Sequence, residues 1–230
     1  MGTRSLVTAD TESRVAVVEL SSGRVVRSIP TLPGPRSVES VSGTIGVVCH
    51  TAHGAVISLD PSGRTIWVSL GSKAEEVAVV DVSGPTAPRL VRRFRPPFLA
   101  HDVGIVPRGR HVWVSSGDRG ALAVYDRRTG EVLRRLPADA PPQHVTFSDG
   151  NAYVTSGEDG TLRVQSLRDG RVLHLTRIPV GSYNVQEAFG WIVTPSLDRG
   201  TFCVLDRRGR LRHRVQVARS SHDACFVMTA

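Results

Sequence analysis

One unit of about 40 residues recurs along this 230-residue chain and limits its possible folds more than any other feature. The clearest copies are HVWVSSGDRGALAVYDRRTGEVLRRL at residues 111–136, NAYVTSGEDGTLRVQSLRDGRVLHL at 151–175 and WIVTPSLDRGTFCVLDRRGRLRHRV at 191–215. Two further copies begin at Arg4 and at Thr65. A fixed period of this length is typical of solenoids and propellers, in which each repeat packs against its neighbours.

Each copy contains three short stretches in which apolar and polar residues alternate, separated by Gly, Asp and Ser. This pattern predicts half-buried β-strands joined by tight turns. A fourth stretch precedes several copies, as in QHVTFS at residues 143–148. Four strands in each period predict the blade of a β-propeller. We call the strands A to D, from the central axis outward.

The two ends and one internal region complete this prediction. The chain starts with a strand B and finishes with SHDACFVMTA, residues 221–230, which has the pattern of a strand A. We therefore expect the C-terminal strand to pair with the N-terminal strands and close the ring. The aligned strand-B residues Val47 and Val68 are only about half a period apart, so the second blade, near 36–64, is expected to be truncated. The predicted architecture is one all-β domain, 1–230, with about five full blades and one partial blade.

Three core phrases resemble the YVTN-repeat family of β-propellers, which is similar to the lactonase-like seven-bladed propellers. They are WVSSGDRGALAVYD at 113–126, AYVTSGEDGTLRVQSL at 152–167 and IVTPSLDRGTFCVLD at 192–206. The resemblance covers nearly the whole chain and implies a propeller fold. It says less about function, because such propellers include enzymes, binding modules and proteins of unknown role. Seven blades at this period need about 280 residues, so this chain is expected to be a shortened version.

Polar residues recur where each strand A begins. They form a first column, Arg36, His101, Gln143, Tyr183 and His222, and a second column, Ser37, Asp102, His144, Asn184 and Asp223. In a propeller these side chains are expected at the mouth of the central channel. Two interpretations stay open: the residues solvate the ends of the strands, or they bind a ligand. The predicted ligand-binding residues are Arg36, His101, Asp102, Gln143, His144, Tyr183, Asn184, His222 and Asp223.

The histidines in these columns suggest two kinds of chemistry. His101, His144 and His222 are candidate catalytic residues, because imidazole exchanges protons near neutral pH. A divalent metal is the candidate cofactor, since imidazole and carboxylate suit zinc, manganese or iron. Its candidate ligands are His101, Asp102, His222 and Asp223, with His50 and His53 of CHTAHG as weaker candidates.

Three functional hypotheses follow. The first is binding of a small ligand or a protein partner at the channel mouth. The second, implied by the resemblance, is a metal-assisted hydrolase of the lactonase type. The third is nucleic-acid binding through arginine, since the net charge is +8 and Lys73 is the only lysine. The arginines are spread along the predicted outer strands, where charge protects an exposed edge, whereas a nucleic-acid surface needs them clustered on one face.

Composition adds expectations about environment. No apolar run approaches the ~18 residues of a membrane-spanning segment, and the first ten residues lack the apolar core of a secretory signal. We therefore expect a cytoplasmic monomer that does not associate with membranes. Cys49, Cys203 and Cys225 have no motif spacing, which favours buried thiols over a disulfide or a nucleophile.

Overall fold

The computed structural model describes residues 3–41, 45–49, 56–59, 64–69, 73–83, 88–107, 109–138 and 140–228. All regular elements in these ranges are β-strands, which confirms the all-β prediction. A helix long and apolar enough to cross a membrane is absent from the described residues.

The chain divides into two compact units. Unit 1 comprises Met1–Ala52 with Ser148–Ala230, and unit 2 comprises His53–Phe147. Each unit has its own buried core. The single domain covering residues 1–230 stays a prediction.

Unit 1 holds the strands from both ends of the chain. They are β1 (Thr3–Ala9), β2 (Arg14–Glu19), β3 (Arg24–Pro30), β4 (Ser37–Val41), β5 (Ile45–Cys49), β15 (Asn151–Ser156), β16 (Thr161–Ser166), β17 (Val172–Arg177), β18 (Gln186–Ala188), β19 (Trp191–Pro195), β20 (Thr201–Asp206), β21 (Leu211–Gln216) and β22 (Ala224–Met228).

Unit 2 holds the middle strands. They are β6 (Val56–Leu59), β7 (Thr65–Ser69), β8 (Val77–Asp81), β9 (Arg89–Phe94), β10 (Ala100–Ile105), β11 (His111–Ser116), β12 (Ala121–Asp126) and β13 (Val132–Pro137). The strand β14 (Val145–Ser148) crosses the boundary between the two units.

The strands form antiparallel sheets in the predicted order. Unit 1 contains the four-stranded sheets β22-β1-β2-β3 and β18-β19-β20-β21, and unit 2 contains β6-β7-β8-β9 and β10-β11-β12-β13. The stretch from β14 to β17 repeats the same succession of strands along the chain. The C-terminal strand pairs with the N-terminal strand as predicted, from Thr3 opposite Met228 to Val7 opposite Ala224.

The second repeat is shorter than the others in the described residues. Its sheet has two strands, β4 and β5, paired from Ser37 opposite Cys49 to Val41 opposite Ile45. The next sheet begins only seven residues later, with β6 at Val56. This agrees with the close spacing of Val47 and Val68 in the sequence.

The middle strands of a sheet and its outer strand differ in solvent exposure. Every residue of β11 and β12 after the first is buried, whereas all seven residues of β3 are exposed. Continuous apolar runs are typical of strands that are covered on both faces. The outer strands instead carry exposed arginines beside apolar residues.

The cores lie between successive sheets. In unit 2, one cluster joins residues of β7 and β8 with residues of β10, β11 and β12. Its aromatic rings meet through Phe94, which lies 5.7 Å from Trp67 and 4.8 Å from Tyr125 between ring centroids. In unit 1, Cys203 belongs to a similar cluster, and burial raises the pKa of its thiol to about 11. Cys225 is also buried, while the side chain of Cys49 lies outside the described residues.

Candidate functional site

In unit 2, a buried carboxylate connects the starts of two successive A strands. The carboxylate of Asp102, on β10, accepts a hydrogen bond from its neighbour's N–H, that of Val103, at 2.7 Å. Its other oxygen accepts the N–H of Val145, the first residue of β14, at 3.2 Å. Asp102 is 6% exposed, so both backbone groups are satisfied away from bulk water.

A hydroxyl on strand B forms a second connection. The Ser115 hydroxyl accepts the N–H of Asp102 at 3.0 Å and donates to the carbonyl of Gln143. The Ser69 hydroxyl donates in the same way to the carbonyl of His101, at 2.7 Å. The bonds to the Gln143 and His101 carbonyls join strand B of one sheet to the strand A that follows in the next sheet, so they hold neighbouring sheets in register at this edge.

The hydroxyl residues of strand B take part in these bonds, but they do not belong to the two columns of polar residues predicted at the starts of the A strands. A signal for them is present in the sequence, because a hydroxyl residue repeatedly follows the aligned strand-B valine. The residues that show it are Thr8, Ser69, Ser115, Thr155 and Thr194. Ser69, Ser115 and Thr155 bond the next strand A, and Thr8 bonds the strand A of its own sheet.

The Asp102 carboxylate also holds an imidazole. The Nδ1 atom of His144 lies 3.2 Å from the Oδ2 atom of Asp102. The ring of His101 stands edge-on to the His144 ring, with centroids 5.3 Å apart and planes at 85°. The His144 side chain is 17% exposed and that of Asp102 is 9% exposed, so the imidazole reaches solvent more than the carboxylate that orients it.

Electrostatics keep this carboxylate ionised. Burial raises the pKa of Asp102. The charge and hydrogen bond of His144, together with the charge of His101 and the N–H of Val145, lower this pKa by more than burial raises it. The net effect is a pKa below the ordinary value of 3.8. An ionised Asp102 accepts the proton of His144 Nδ1, which fixes the orientation of the imidazole ring.

In unit 1, Asp223 repeats the backbone connection made by Asp102. Its carboxylate accepts the N–H of Ala224 at 2.8 Å and the N–H of Val38 at 3.2 Å. The Thr8 hydroxyl accepts the N–H of Asp223 at 2.9 Å and that of His222 at 3.2 Å. The start of β22 is therefore fixed by the same two groups, a carboxylate and a strand-B hydroxyl.

An ionic contact between Arg36 and Asp10 lies near the start of β22 in unit 1. The guanidinium of the exposed Arg36 is 3.4 Å from the carboxylate of Asp10, a residue outside the two predicted columns. Burial raises the pKa of Asp10, although the Arg36 charge, the Thr8 hydroxyl and the His222 N–H oppose this rise. Asp10 lies within reach of Arg36 at the end of β1, because it directly follows the last residue of that strand.

The remaining predicted residues of unit 1 lie before β18. The Thr155 hydroxyl donates to the carbonyl of Tyr183, and the Tyr183 ring packs against Gly157, where no Cβ would fit. Burial raises the pKa of the Tyr183 hydroxyl, and the charges of Asp198 and Glu158 raise it further. The Oδ1 atom of Asn184 is buried, with no hydrogen-bond partner among the described residues.

The predicted metal ligands are divided between the two units. His101 and Asp102 lie in unit 2, and His222 and Asp223 lie in unit 1. Within the described ranges, no three His, Cys, Asp or Glu side chains are grouped in a way that could hold a metal ion. His50 and His53 lie outside the described residues.

Four-stranded antiparallel sheets, repeated along the chain and linked at the starts of their A strands, define a β-propeller-like repeat protein. The chain belongs to the PQQ_2 family, whose model is described as outer membrane protein assembly factor BamB and matches residues 52–216. The match supports the propeller-like fold and is not specific to the YVTN repeat.

Solved structures support the same fold. A protein of unknown function from Bacteroides caccae has a TM-score of 0.69 at 11% identity, with 100% of each chain covered. Apo AztD from Citrobacter koseri has a TM-score of 0.68 at 11% identity, with 98% of each chain covered. KlHsv2 with its loop 6CD replaced by a Gly-Ser linker has a TM-score of 0.50 at 13% identity, covering 71% of this chain and 52% of its own. No curated protein sequence matches the chain significantly.

Proposed function

We propose that this propeller is a binding protein that recognises a small ligand or a protein partner through the polar residues at the starts of its A strands. The recognition group is His101, Asp102 and His144 in unit 2. The observation that carries the proposal is the contact between the buried, ionised Asp102 and the partly exposed His144.

The backbone connection by itself does not require histidine. Asp223 makes the same two backbone bonds in unit 1, where Ser37 occupies the second-column position that His144 occupies in unit 2. A histidine at that position is therefore additional to the structural role of the carboxylate. Two imidazoles with 5.3 Å between ring centroids offer donors and acceptors to one ligand, which supports a role in recognition.

The chemistry of the group favours a ligand with a carboxylate. A protonated imidazole donates to an anionic oxygen, and such charge-assisted hydrogen bonds are stronger than neutral ones. A free small acid and the C-terminal carboxylate of a partner both carry this group. The family description names an assembly factor, which supports the protein-partner form of the proposal.

The test compares the unaltered protein with the double variant His101→Gln/His144→Gln. Binding of acetate, succinate, citrate and short peptides with a free C-terminal carboxylate is measured by calorimetry. We expect at least one of these probes to bind, and its affinity to fall about tenfold or more in the double variant, because two charge-assisted hydrogen bonds are lost. His174→Gln is the matched control, since His174 is exposed on the outer strand β17.

Equal affinity in the double variant and the control would contradict the assignment of His101, Asp102 and His144 as the recognition group. Zinc-dependent hydrolysis of a lactone panel that disappears in His101→Gln/His144→Gln would instead favour the metal-assisted hydrolase. Both results are obtained with the same proteins, so the two hypotheses are separated directly.

The proposal includes the predicted ring of about five full blades and one partial blade, of the YVTN type. The two-stranded sheet β4-β5 and the pairing of β22 with β1 support it. If β22 closes the ring, deleting residues 224–230 should lower the urea midpoint of unfolding for the whole chain in one transition. A midpoint unchanged by this deletion would contradict ring closure.

A further inference from the structure

We propose that the basic turn, defined as Asp206–Arg212 and running from the end of β20 to the start of β21, binds the phosphate group of a phosphate monoester. The turn borders a surface depression of about 300 Å³ in unit 1. The residues around it are Gly190, Asp206, Arg207, Arg208, Arg210 and Arg212. This volume is at the lower end of the range for small-ligand sites.

The backbone of the basic turn is fixed by its surroundings. The Asp206 carboxylate accepts the N–H groups of Arg208 at 2.9 Å and Arg210 at 3.0 Å. From the neighbouring strands, the Tyr153 hydroxyl donates to the carbonyl of Arg207 at 2.7 Å, and the Thr176 hydroxyl donates to that of Gly209. The arginines therefore start from anchored positions, which reduces the entropy lost when a ligand binds.

Two of the four arginines are already paired. Arg212 donates to the Asp206 carboxylate at 3.1 and 2.7 Å, and Arg207 lies 2.7 Å from the carboxylate of Asp149. Arg208 and Arg210 are exposed, and neither has a carboxylate partner among the described residues. The four guanidinium charges exceed the two carboxylate charges by two. A phosphate monoester, which carries roughly −1.5 to −2 at pH 7, balances that excess.

The equivalent turn between β12 and β13 keeps arginines at the positions of Arg207 and Arg208 but closes without the other two arginines. There, Asp126 accepts the N–H groups of Arg128 at 2.8 Å and Thr129 at 2.9 Å. Glu131 occupies the position of Arg210, and Leu133 occupies that of Arg212. Closure of this turn therefore does not need Arg210 or Arg212. Arginine also stands at the Arg210 position in two other turns, as Arg24 and Arg171, so the feature that distinguishes the basic turn is the presence of four arginines together, and this concentration of positive charge suits an anion.

Phosphate fits this group better than a single carboxylate does. Guanidinium presents paired N–H donors that match phosphate oxygens, and a monoester has three such oxygens to share among several arginines. Gly190 leaves room for this geometry, because a Cβ there would lie 3.2 Å from the Arg207 Nε atom. A phosphodiester carries only one charge for each phosphate, so a nucleic-acid backbone matches the excess charge less well.

The test measures binding of phenyl phosphate and inorganic phosphate by calorimetry at pH 7.5 and low salt. We expect saturable binding to the unaltered protein and a loss of about tenfold or more in Arg208→Gln/Arg210→Gln. The matched control, Arg127→Gln/Arg128→Gln, removes the same charge from the equivalent turn and should bind as the unaltered protein does. Arg210→Glu, which copies the charge at Glu131, should weaken binding further.

Three results would overturn the proposal. One is the absence of saturable binding at millimolar phosphate. Another is equal weakening in the two double variants, which would assign the effect to net charge alone. The third is tighter, steeply salt-dependent binding of a single-stranded oligonucleotide, which would assign the turn to a phosphodiester backbone. The His101, Asp102 and His144 side chains are intact in both arginine double variants, so a difference in phosphate binding between these two variants tests the basic turn independently of the proposed function.

Discussion

Asp102 in unit 2 and Asp223 in unit 1 perform the same structural task with different neighbours. Each carboxylate accepts the N–H of the following residue and an N–H from the next A strand, at nearly identical distances. Asp102 also contacts an imidazole, while in unit 1 the nearby ionic pair is Asp10 with Arg36. The backbone linkage is the shared requirement of the repeat, and the side chains added to it differ. A function specific to this chain is therefore expected from the added side chains.

The largest effect is expected from removing the linkage itself. Asp102→Ala and Asp223→Ala should each lower the free energy of unfolding by about 2–5 kcal/mol, because two buried N–H groups lose their acceptor. Urea unfolding measures this, with Asp198→Ala as the control at an exposed carboxylate. If only one of the two variants is destabilised, the two linkages are not equivalent and the comparison fails.

A smaller loss is expected when the strand-B hydroxyls are removed. Thr8→Val keeps the shape of the side chain but leaves the N–H groups of Asp223 and His222 without this acceptor. Ser115→Ala does the same to the N–H of Asp102. Each should cost about 1–3 kcal/mol by urea unfolding. Ser83→Ala, at an exposed turn, should change stability far less.

His144→Ser gives unit 2 the residue that stands in the second column of unit 1. We expect stability to fall by about 1–2 kcal/mol, less than in Asp102→Ala, since the backbone bonds of Asp102 remain while its buried carboxylate loses one hydrogen-bond partner. Carboxylate binding should be lost in the same variant. A loss of stability as large as that of Asp102→Ala would show that the imidazole is part of the structural linkage.

The smallest expected effect is on the pH dependence of the free energy of unfolding, in which Asp102 and Asp10 should differ. The folded-state pKa of Asp102 is lowered, so its contribution to stability is present above the unfolded value and is lost as the pH falls through the folded pKa. The pKa of Asp10 is raised, so its contribution is present below the unfolded value and is lost as the pH rises through the folded pKa.

The two aspartates should therefore change the free energy of unfolding with pH in opposite directions. Asp10→Asn should flatten the decline above pH 3.8, the ordinary pKa of aspartate. Asp102→Asn should reduce the acid-side loss below that pH. Parallel curves for the two variants would contradict the assigned directions of the pKa shifts.

Much of the fold was predictable because its signals are local. Alternating strands and Gly- or Asp-rich turns recur within each repeat, and these give the four-stranded sheets and the truncated second repeat. The pairing of β22 with β1 followed from the strand patterns at the two ends. The division into two compact units had no such signal, since it depends on how side chains from distant repeats pack.

The candidate site was predictable only as a set of positions. The columns contain Asp102 and His144, but their contact joins residues 42 positions apart in the chain. The Asp223 carboxylate meets a backbone N–H 185 residues away, and Asp10 meets Arg36 across 26 residues. No local pattern specifies such pairs, because they arise when the edges of successive sheets meet.

The sequence by itself determined the repeat, its strands and the polar positions where each strand A begins, because period-two alternation and turn chemistry are properties of neighbouring residues. Only the tertiary structure decided what those polar residues do. It made Asp102 and Asp223 acceptors for backbone N–H groups, placed His144 on one of them, and left Arg208 and Arg210 without carboxylate partners in the described chain. A carboxylate, an imidazole or a guanidinium gains its role from the groups that packing brings within hydrogen-bonding distance.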